Sequence, residues 1–248
     1  MTNKKVLATA TGGEIAPTSN VALMHQVMDT LTKREPGLPG IGCFYGPSGV
    51  GKSFASAFAA HPLGFNGVYV ECRSYDTMKS LVHNIVMALG LNVKGSIPTQ
   101  MDHVFEAFSL SDRPLIVDEA DRIVDTKRIE LLRDIHDKTG VPVLIIGEQD
   151  LPAKLKAHER FDNRVLVWQP AALCSITDLD QLAKMYTGGI TIAPELKKRI
   201  LSETGGITRR VATTLVNVKK WCDANGTSDA PAGAPITVHT GAAPGRVR

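Results

Sequence analysis

The sequence predicts an α/β fold in three layers, a five-stranded parallel sheet between helices, followed by a small helical domain. Three observations predict it. Five short apolar runs, at 41–45, 67–72, 114–117, 141–146 and 165–168, lack in/out alternation, as strands covered on both faces do. Stretches with helical spacing fall between those runs, which gives the βαβα alternation of a parallel sheet. After Pro170 the strand-like runs stop and only helical patterns follow.

Residues 1–17 are small, polar and glycine-containing, and read as a flexible leader. Val21, Met24, Val27, Met28 and Leu31 then recur at helical spacing, with Ser19 or Asn20 as the expected N-cap and Glu35-Pro36-Gly37 as the stop. A helix over 53–60 follows the first strand. A second over 77–89 carries Met78, Leu81, Val82, Ile85, Val86 and Leu89 on one side. Helices over 99–108 and 129–138 precede the third and fourth strands. These elements make one domain over 18–170. Helices over 176–186, 194–204 and 208–222 make the small domain over 171–224. Residues 225–248 are rich in Gly, Pro, Ala and Thr, and are expected to be a disordered tail.

Bulk properties exclude more than they identify. The chain has 248 residues, 43% hydrophobic, enough for one or two cored domains. Its formal charge of +3, from 28 basic and 25 acidic residues, does not by itself mark a nucleic-acid binder. Cys43, Cys72, Cys174 and Cys222 suit neither a zinc site nor a disulfide framework, and read as buried thiols. The seven histidines show no metal-ligand spacing. With no secretory signal and no spanning segment, the expected location is the cytoplasm.

The chemistry is concentrated in two motifs. Gly46, Pro47, Ser48, Gly49, Val50, Gly51, Lys52 and Ser53 fit G-x-x-x-x-G-K-[ST], with a strand before and a helix after. Glycines let backbone N–H groups turn inward as an anion nest, and the helix N-terminus adds free amides and its dipole. Lys52 suits the β- and γ-phosphates and the Ser53 hydroxyl suits Mg²⁺. The run Leu115-Ile116-Val117-Asp118-Glu119 is a buried strand ending in two carboxylates, at the sheet edge where ligands bind. Asp118 suits the metal and Glu119 the activation of a water. Asp121 and Arg122 read as solvated turn residues.

Two arginine clusters are candidates for completing such a site. Arg164, with Arg160 in reserve, precedes the last strand, from which a guanidinium can project to the phosphate of a neighbouring subunit. Arg209, opening the last helix after Gly205-Gly206, is placed to reach back to the nucleotide.

Together these features resemble AAA+ ATPases across residues 18–222, and within them the Mu-phage transposition protein B family and related transposon target-selection ATPases. The cues are the Ser19-Asn20 helix running into FYGPSGVGKS, then LIVDEAD, and VPVLIIGEQD followed by ERFDNRV. The resemblance implies a sheet order of 5-1-4-3-2, ATP and Mg²⁺ as cofactors, and ATP hydrolysis. It also implies self-association into a ring or helical filament on double-stranded DNA and delivery of that DNA to a transposase. Two departures stand out. After the fourth strand, where this class carries a small polar sensor residue, the chain has Gly147-Glu148-Gln149, so Gln149 becomes the candidate nucleotide contact. The short leader also leaves out the helix-turn-helix module of the Mu protein.

Basic residues gather in the helical domain, where Lys197 and Lys198 are candidate phosphate contacts for DNA; Arg73 and Lys79, just after the second strand, are the candidates for lining a pore around it. Helicase loading, replication initiation and secretion remain open as alternative AAA+ roles, as does an ATP-gated DNA scaffold with little turnover.

Overall fold

The computed structural model describes residues 7–8, 14–124 and 128–241. Its centre is a sheet of β1 (Ile41–Tyr45), β2 (Val68–Glu71), β3 (Leu115–Asp118), β4 (Val143–Gly147) and β5 (Val165–Pro170). All five strands run parallel in the order β2-β3-β4-β1-β5, the arrangement implied by the sequence resemblance. The register pairs Tyr45 with Gly147 and Glu71 with Asp118. The carboxyl ends of the strands therefore emerge along one edge, and both sequence motifs leave from that edge.

Each face of the sheet is covered. Phe44, Ile116, Leu144 and Ile146 pack with α1 (Ser19–Thr32) and α2 (Lys52–Ala60). Cys43, Val70, Val117 and Ile145 face the other way, toward α3 (Met78–Ala88), α4 (Ile97–Ser109), the short α5 (Asp121–Val124) and α6 (Arg128–Thr139). The helices form where their apolar spacing and caps coincide. In α3, Leu81, Val82, Ile85 and Val86 are buried, and Thr77 and Ser80 cap the start reciprocally. Each such side chain contributes about 1.5–3 kcal/mol on leaving water. Helix α1 is capped at least one residue earlier than expected: Thr18 occupies the cap position, and Ser19 and Asn20 are helical. Two short helices that the apolar pattern did not announce, α7 (Leu151–Leu155) and α8 (Glu159–Asp162), link β4 to β5.

The helical unit contains α9 (Ile176–Thr187), α10 (Pro194–Thr204) and α11 (Thr208–Asn225). Glycines in the left-handed conformation, Gly188, Gly205 and Gly226, end all three. The expectation of disorder from residue 225 onward is corrected here through residue 241. Asp229–Ala230 pairs in parallel with Thr191–Ile192, and Ala230, Ala234 and Ile236 are buried in the helical core. Arg199 donates to the carbonyls of Ala234 and Ile236 at 3.4 and 3.2 Å, and the Asn217 amide donates to Thr237 O at 2.9 Å. Small, aperiodic apolar residues give no periodic signal, yet they fill a core that other helices have already outlined.

The leader is corrected in the same way over its last residues. Glu14–Ile15 pairs antiparallel with Leu7–Ala8, and Ala16 is buried with the helical unit. The remainder of the leader, and residues 242–248 of the tail, lie outside the described residues. Among the described residues no helix is long and apolar enough to cross a membrane.

Candidate active site

Strand β1 ends at Tyr45, the chain loops through 46–51, and α2 starts at Lys52. Gly49 and Gly51 have φ of +80° and +95°, which only glycine adopts cheaply. A Cβ at Gly49 would also stand 3.1 Å from Ile207 Cγ2 of the helical unit. The Lys52 side chain curls back over this loop and is 9% exposed; its ammonium donates to Gly46 O at 2.6 Å and Pro47 O at 2.9 Å. The Gly46 N–H donates to Gly147 O at 3.3 Å, pinning the start of the loop to the end of β4.

The two carboxylates after β3 sit in contrasting surroundings. Asp118 is 2% exposed; its Oδ1 accepts from the Glu119 N–H at 2.8 Å and its Oδ2 from the Tyr69 hydroxyl at 3.0 Å. Burial first, and then the charge of Asp118, push the Tyr69 phenol far above its ordinary range, so it stays a donor. Glu119 has φ of +56°, a left-handed conformation costing a non-glycine residue about 1–2 kcal/mol. Its Oε2 accepts from Arg122 Nε and Nη2 at 3.2 and 3.1 Å.

Asp121 is thus not the solvated turn residue expected, whereas Arg122 is exposed and pairs with Glu119 at the surface. Asp121 is 11% exposed at its side chain and lies 3.7 Å from Lys154 Nζ. Its Oδ2 accepts from the Glu148 N–H at 2.6 Å, and so ties the turn after β3 to the turn after β4.

A cleft of about 430 Å³ opens between the sheet edge and the helical unit. Its lining is mixed: Ser48, Gly49, Gly51, Lys52, Ser53, Glu119, Glu148 and Arg209 bring polar groups, and Phe54, Leu182, Tyr186 and Val216 bring apolar surface. The structure thus gathers the phosphate loop, Glu119 and Arg209 around one space, while the buried Asp118 does not line it. The start of α11 is fastened to the loop: the Arg209 N–H donates to Gly49 O and the Thr208 hydroxyl to Val50 O, both at 2.8 Å. Gln149 is exposed in the turn after β4 and does not line the cleft; Glu148 does. The Ser53 hydroxyl and the Asp118 carboxylate are hard oxygen donors of the kind magnesium takes. Among the described residues there is no group of three or more metal-binding side chains.

Asn20, read from the sequence only as a cap, serves as a clamp. Its Nδ2 donates to Val50 O at 2.8 Å and Ala172 O at 2.9 Å, and its Oδ1 accepts from the Ala172 N–H at 2.8 Å. Next to it, the Ser19 N–H donates to Asp178 Oδ1 at 2.6 Å. An amide one residue into an otherwise apolar helix face was the available sequence signal.

Other predicted residues lie elsewhere. Arg164 precedes β5, and its carbonyl accepts from the Ile41 N–H, which puts it at the opposite edge of the sheet from the loop. A five-residue strand spans roughly 16 Å, so Arg164 does not join the cleft of its own chain. Its Nε donates to Asp137 Oδ1 at 2.8 Å, and with Arg133, Arg160 and Asn163 it lines a surface depression. Arg73, Lys79 and Lys198 are exposed. Arg73 Nη1 donates to the exposed Tyr75 hydroxyl at 3.2 Å. Lys197 differs, because its ammonium is paired with Asp180 at 2.7 Å inside the helical unit.

Residues 33–155 match the AAA domain family. No curated protein matches the chain in sequence. Among solved structures, the ORC2 protein of Aeropyrum pernix in its ADPNP–ADP complexes is similar at a TM-score of 0.64 and 15% identity, covering 86% of this chain and 64% of that one. The ORC1 protein of the same organism in complex with DNA gives 0.62 and 15%, over 86% and 61%. Cdc6p of Pyrobaculum aerophilum gives 0.61 and 16%, over 92% and 66%. This chain thus spans somewhat less than two thirds of each of those structures. Taken with the sheet order and the loop after β1, these likenesses show that the chain has the P-loop AAA+ fold, and the match to the AAA domain family is confined to residues 33–155.

Proposed function

We propose that this chain binds ATP with Mg²⁺ in the cleft, hydrolyses it to ADP and phosphate, and uses that cycle to assemble on double-stranded DNA. The observation that carries the reading is the convergence of Lys52, Ser53, Glu119 and Arg209 on one space, with Asp118 buried next to Glu119 and accepting from its N–H. The loop amides and Lys52 would seat the phosphates, the ammonium exchanging the Gly46 and Pro47 carbonyls for phosphate oxygens. Ser53 and Asp118 would hold the Mg²⁺, which when bound neutralises charge on the β- and γ-phosphates. Glu119 would orient the attacking water and take its proton, after leaving Arg122. Arg209 would report the nucleotide to α11.

Arg164, with Arg160 in reserve, would complete the cleft of an adjacent copy. Its place at the far sheet edge supports this, because a head-to-tail contact then joins opposite edges of two sheets into a ring or a helical filament. For DNA, the exposed Arg73, Lys79 and Lys198 are the proposed phosphate contacts; Lys197 is the weaker member because Asp180 neutralises it. That the Aeropyrum ORC1 structure is a complex with DNA supports a DNA partner here. Delivery of target DNA to a transposase is the finer proposal. It rests on the sequence resemblance, since neither the family match nor the structural likenesses single out transposition proteins.

The test measures ATP binding and turnover for the parent chain, Lys52→Ala and Glu119→Gln, with and without duplex DNA. Loss of binding in the first variant, and retained binding without turnover in the second, support the reading; parental turnover in Glu119→Gln refutes the assignment of the base. A second reading, an ATP-gated DNA scaffold with little turnover, is favoured by Glu148 in the cleft and by the Arg122–Glu119 pair. Nucleotide-dependent DNA binding with negligible turnover in the parent would select it. Stimulation of turnover by a transposase encoded beside the protein would support the finer role.

A further inference from the structure

Asp118 is held by the protein at both of its oxygens, and one of the two donors comes from a different strand. The Glu119 N–H on Oδ1 is local. The Tyr69 hydroxyl on Oδ2 is not: Tyr69 lies on β2, where it pairs in register with Ile116, and it reaches two residues further along β3 to the carboxylate. Its ring packs among the apolar residues between the sheet and α2, so the hydroxyl has a fixed approach. On α2 itself, the Ser56 hydroxyl donates to Ser53 O at 2.8 Å and braces the turn that carries Ser53. A carboxylate offers about four lone-pair directions, and these two donors occupy one on each oxygen.

We propose that Tyr69 is a positioning residue for the divalent cation of the nucleotide site. Its hydroxyl fixes the rotation of the Asp118 carboxylate and leaves one lone pair on each oxygen for the cation or its water. A phenylalanine at 69 would fill the same apolar space and leave Oδ2 free to rotate. Groups that orient a metal's ligands in this way typically set metal affinity by a factor of ten or more. The inference rests on the proposed nucleotide site and says which residue beyond the two motifs that site depends on.

The experiment is an equilibrium titration of the full chain with a fluorescent ATP analogue, at graded Mg²⁺ and separately in excess chelator. Tyr69→Phe should raise the Mg²⁺ concentration for half-maximal tight binding about tenfold, with binding in chelator unchanged. In an Asp118→Asn background the same change should have no further effect. An unchanged Mg²⁺ midpoint overturns the proposal, and so does an equal loss with and without Mg²⁺, which would mark a packing role. A parent chain that does not bind the analogue at all overturns the nucleotide site itself, and the two failures are thereby distinguished.

Discussion

Replacing Asn20 with alanine tests how the phosphate loop is held in place. Asn20 is 5% exposed and makes three hydrogen bonds of 2.8, 2.9 and 2.8 Å, to Val50 O and to both backbone groups of Ala172. Each contributes about 1 kcal/mol net, and stranding a partner away from water adds about 1 kcal/mol more. The expected loss is therefore about 3–4 kcal/mol. For a denaturant slope of about 2–3 kcal/mol per molar urea, the unfolding midpoint should fall by roughly 1–2 M with the slope unchanged. Thr208→Val sharpens the test, because its hydroxyl donates to the same Val50 carbonyl. The double variant should lose about 0.5–1 kcal/mol more than the sum of the singles, since the second removal takes the remaining side-chain donor from a shared acceptor. A midpoint shift below about 0.3 M for Asn20→Ala, or strict additivity in the cycle, would refute the clamp.

Four further outcomes follow from the geometry. Ile236→Ala should destabilise the helical unit by about 2–3 kcal/mol, read as faster amide exchange in α10 and α11; unchanged exchange would mean the tail does not contribute to that core. Burial holds the His136 imidazole below its ordinary value of 6.5, while its Nδ1–H donates to Val141 O at 2.9 Å. As pH falls below 6.5 the unfolded chain takes up a proton that the folded chain refuses, so stability should drop by up to about 1.4 kcal/mol per unit, a slope that His136→Gln should flatten in urea titrations. Glu148→Gln should tighten ATP over ADP by about 1 kcal/mol, roughly fivefold, by removing a like charge from the phosphate end of the cleft; equal effects on both nucleotides would place Glu148 away from the γ-phosphate. Gly49→Ala should cost about 1–2 kcal/mol for its left-handed backbone, and it should loosen the docking of α11 on the loop, measured as weakened nucleotide binding.

The sheet was legible in the sequence because its strands are buried on both faces. Each of the five runs became a strand within two residues of its expected bounds. The phosphate loop and the carboxylate pair were legible because their chemistry is local and compresses into contiguous motifs. What escaped depends on contacts between distant positions. Nothing near Tyr69 announces that it bonds to Asp118, and nothing near Asp121 announces that it accepts from the Glu148 N–H. Glu148 rather than Gln149 lines the cleft because Gly147 still belongs to β4, which sets where the turn begins. The tail misled for a compositional reason: Ala and Gly score as linker, but Ala230 and Ala234 are small enough to fit against helices already in place.

The helical unit's core draws on both ends of the chain, with Ala16 buried alongside Ala230, Ala234 and Ile236. The sheet that separates them in sequence is complete by residue 170. During synthesis the α/β body therefore has all its strands long before the helical unit has all its core. The unit must then close a loop spanning nearly the whole chain, and distant closure is slow because its entropy is lost before any contact rewards it. During synthesis the α/β body should therefore form before the helical unit, and the cleft should take its final shape only once residues through Ile236 have emerged.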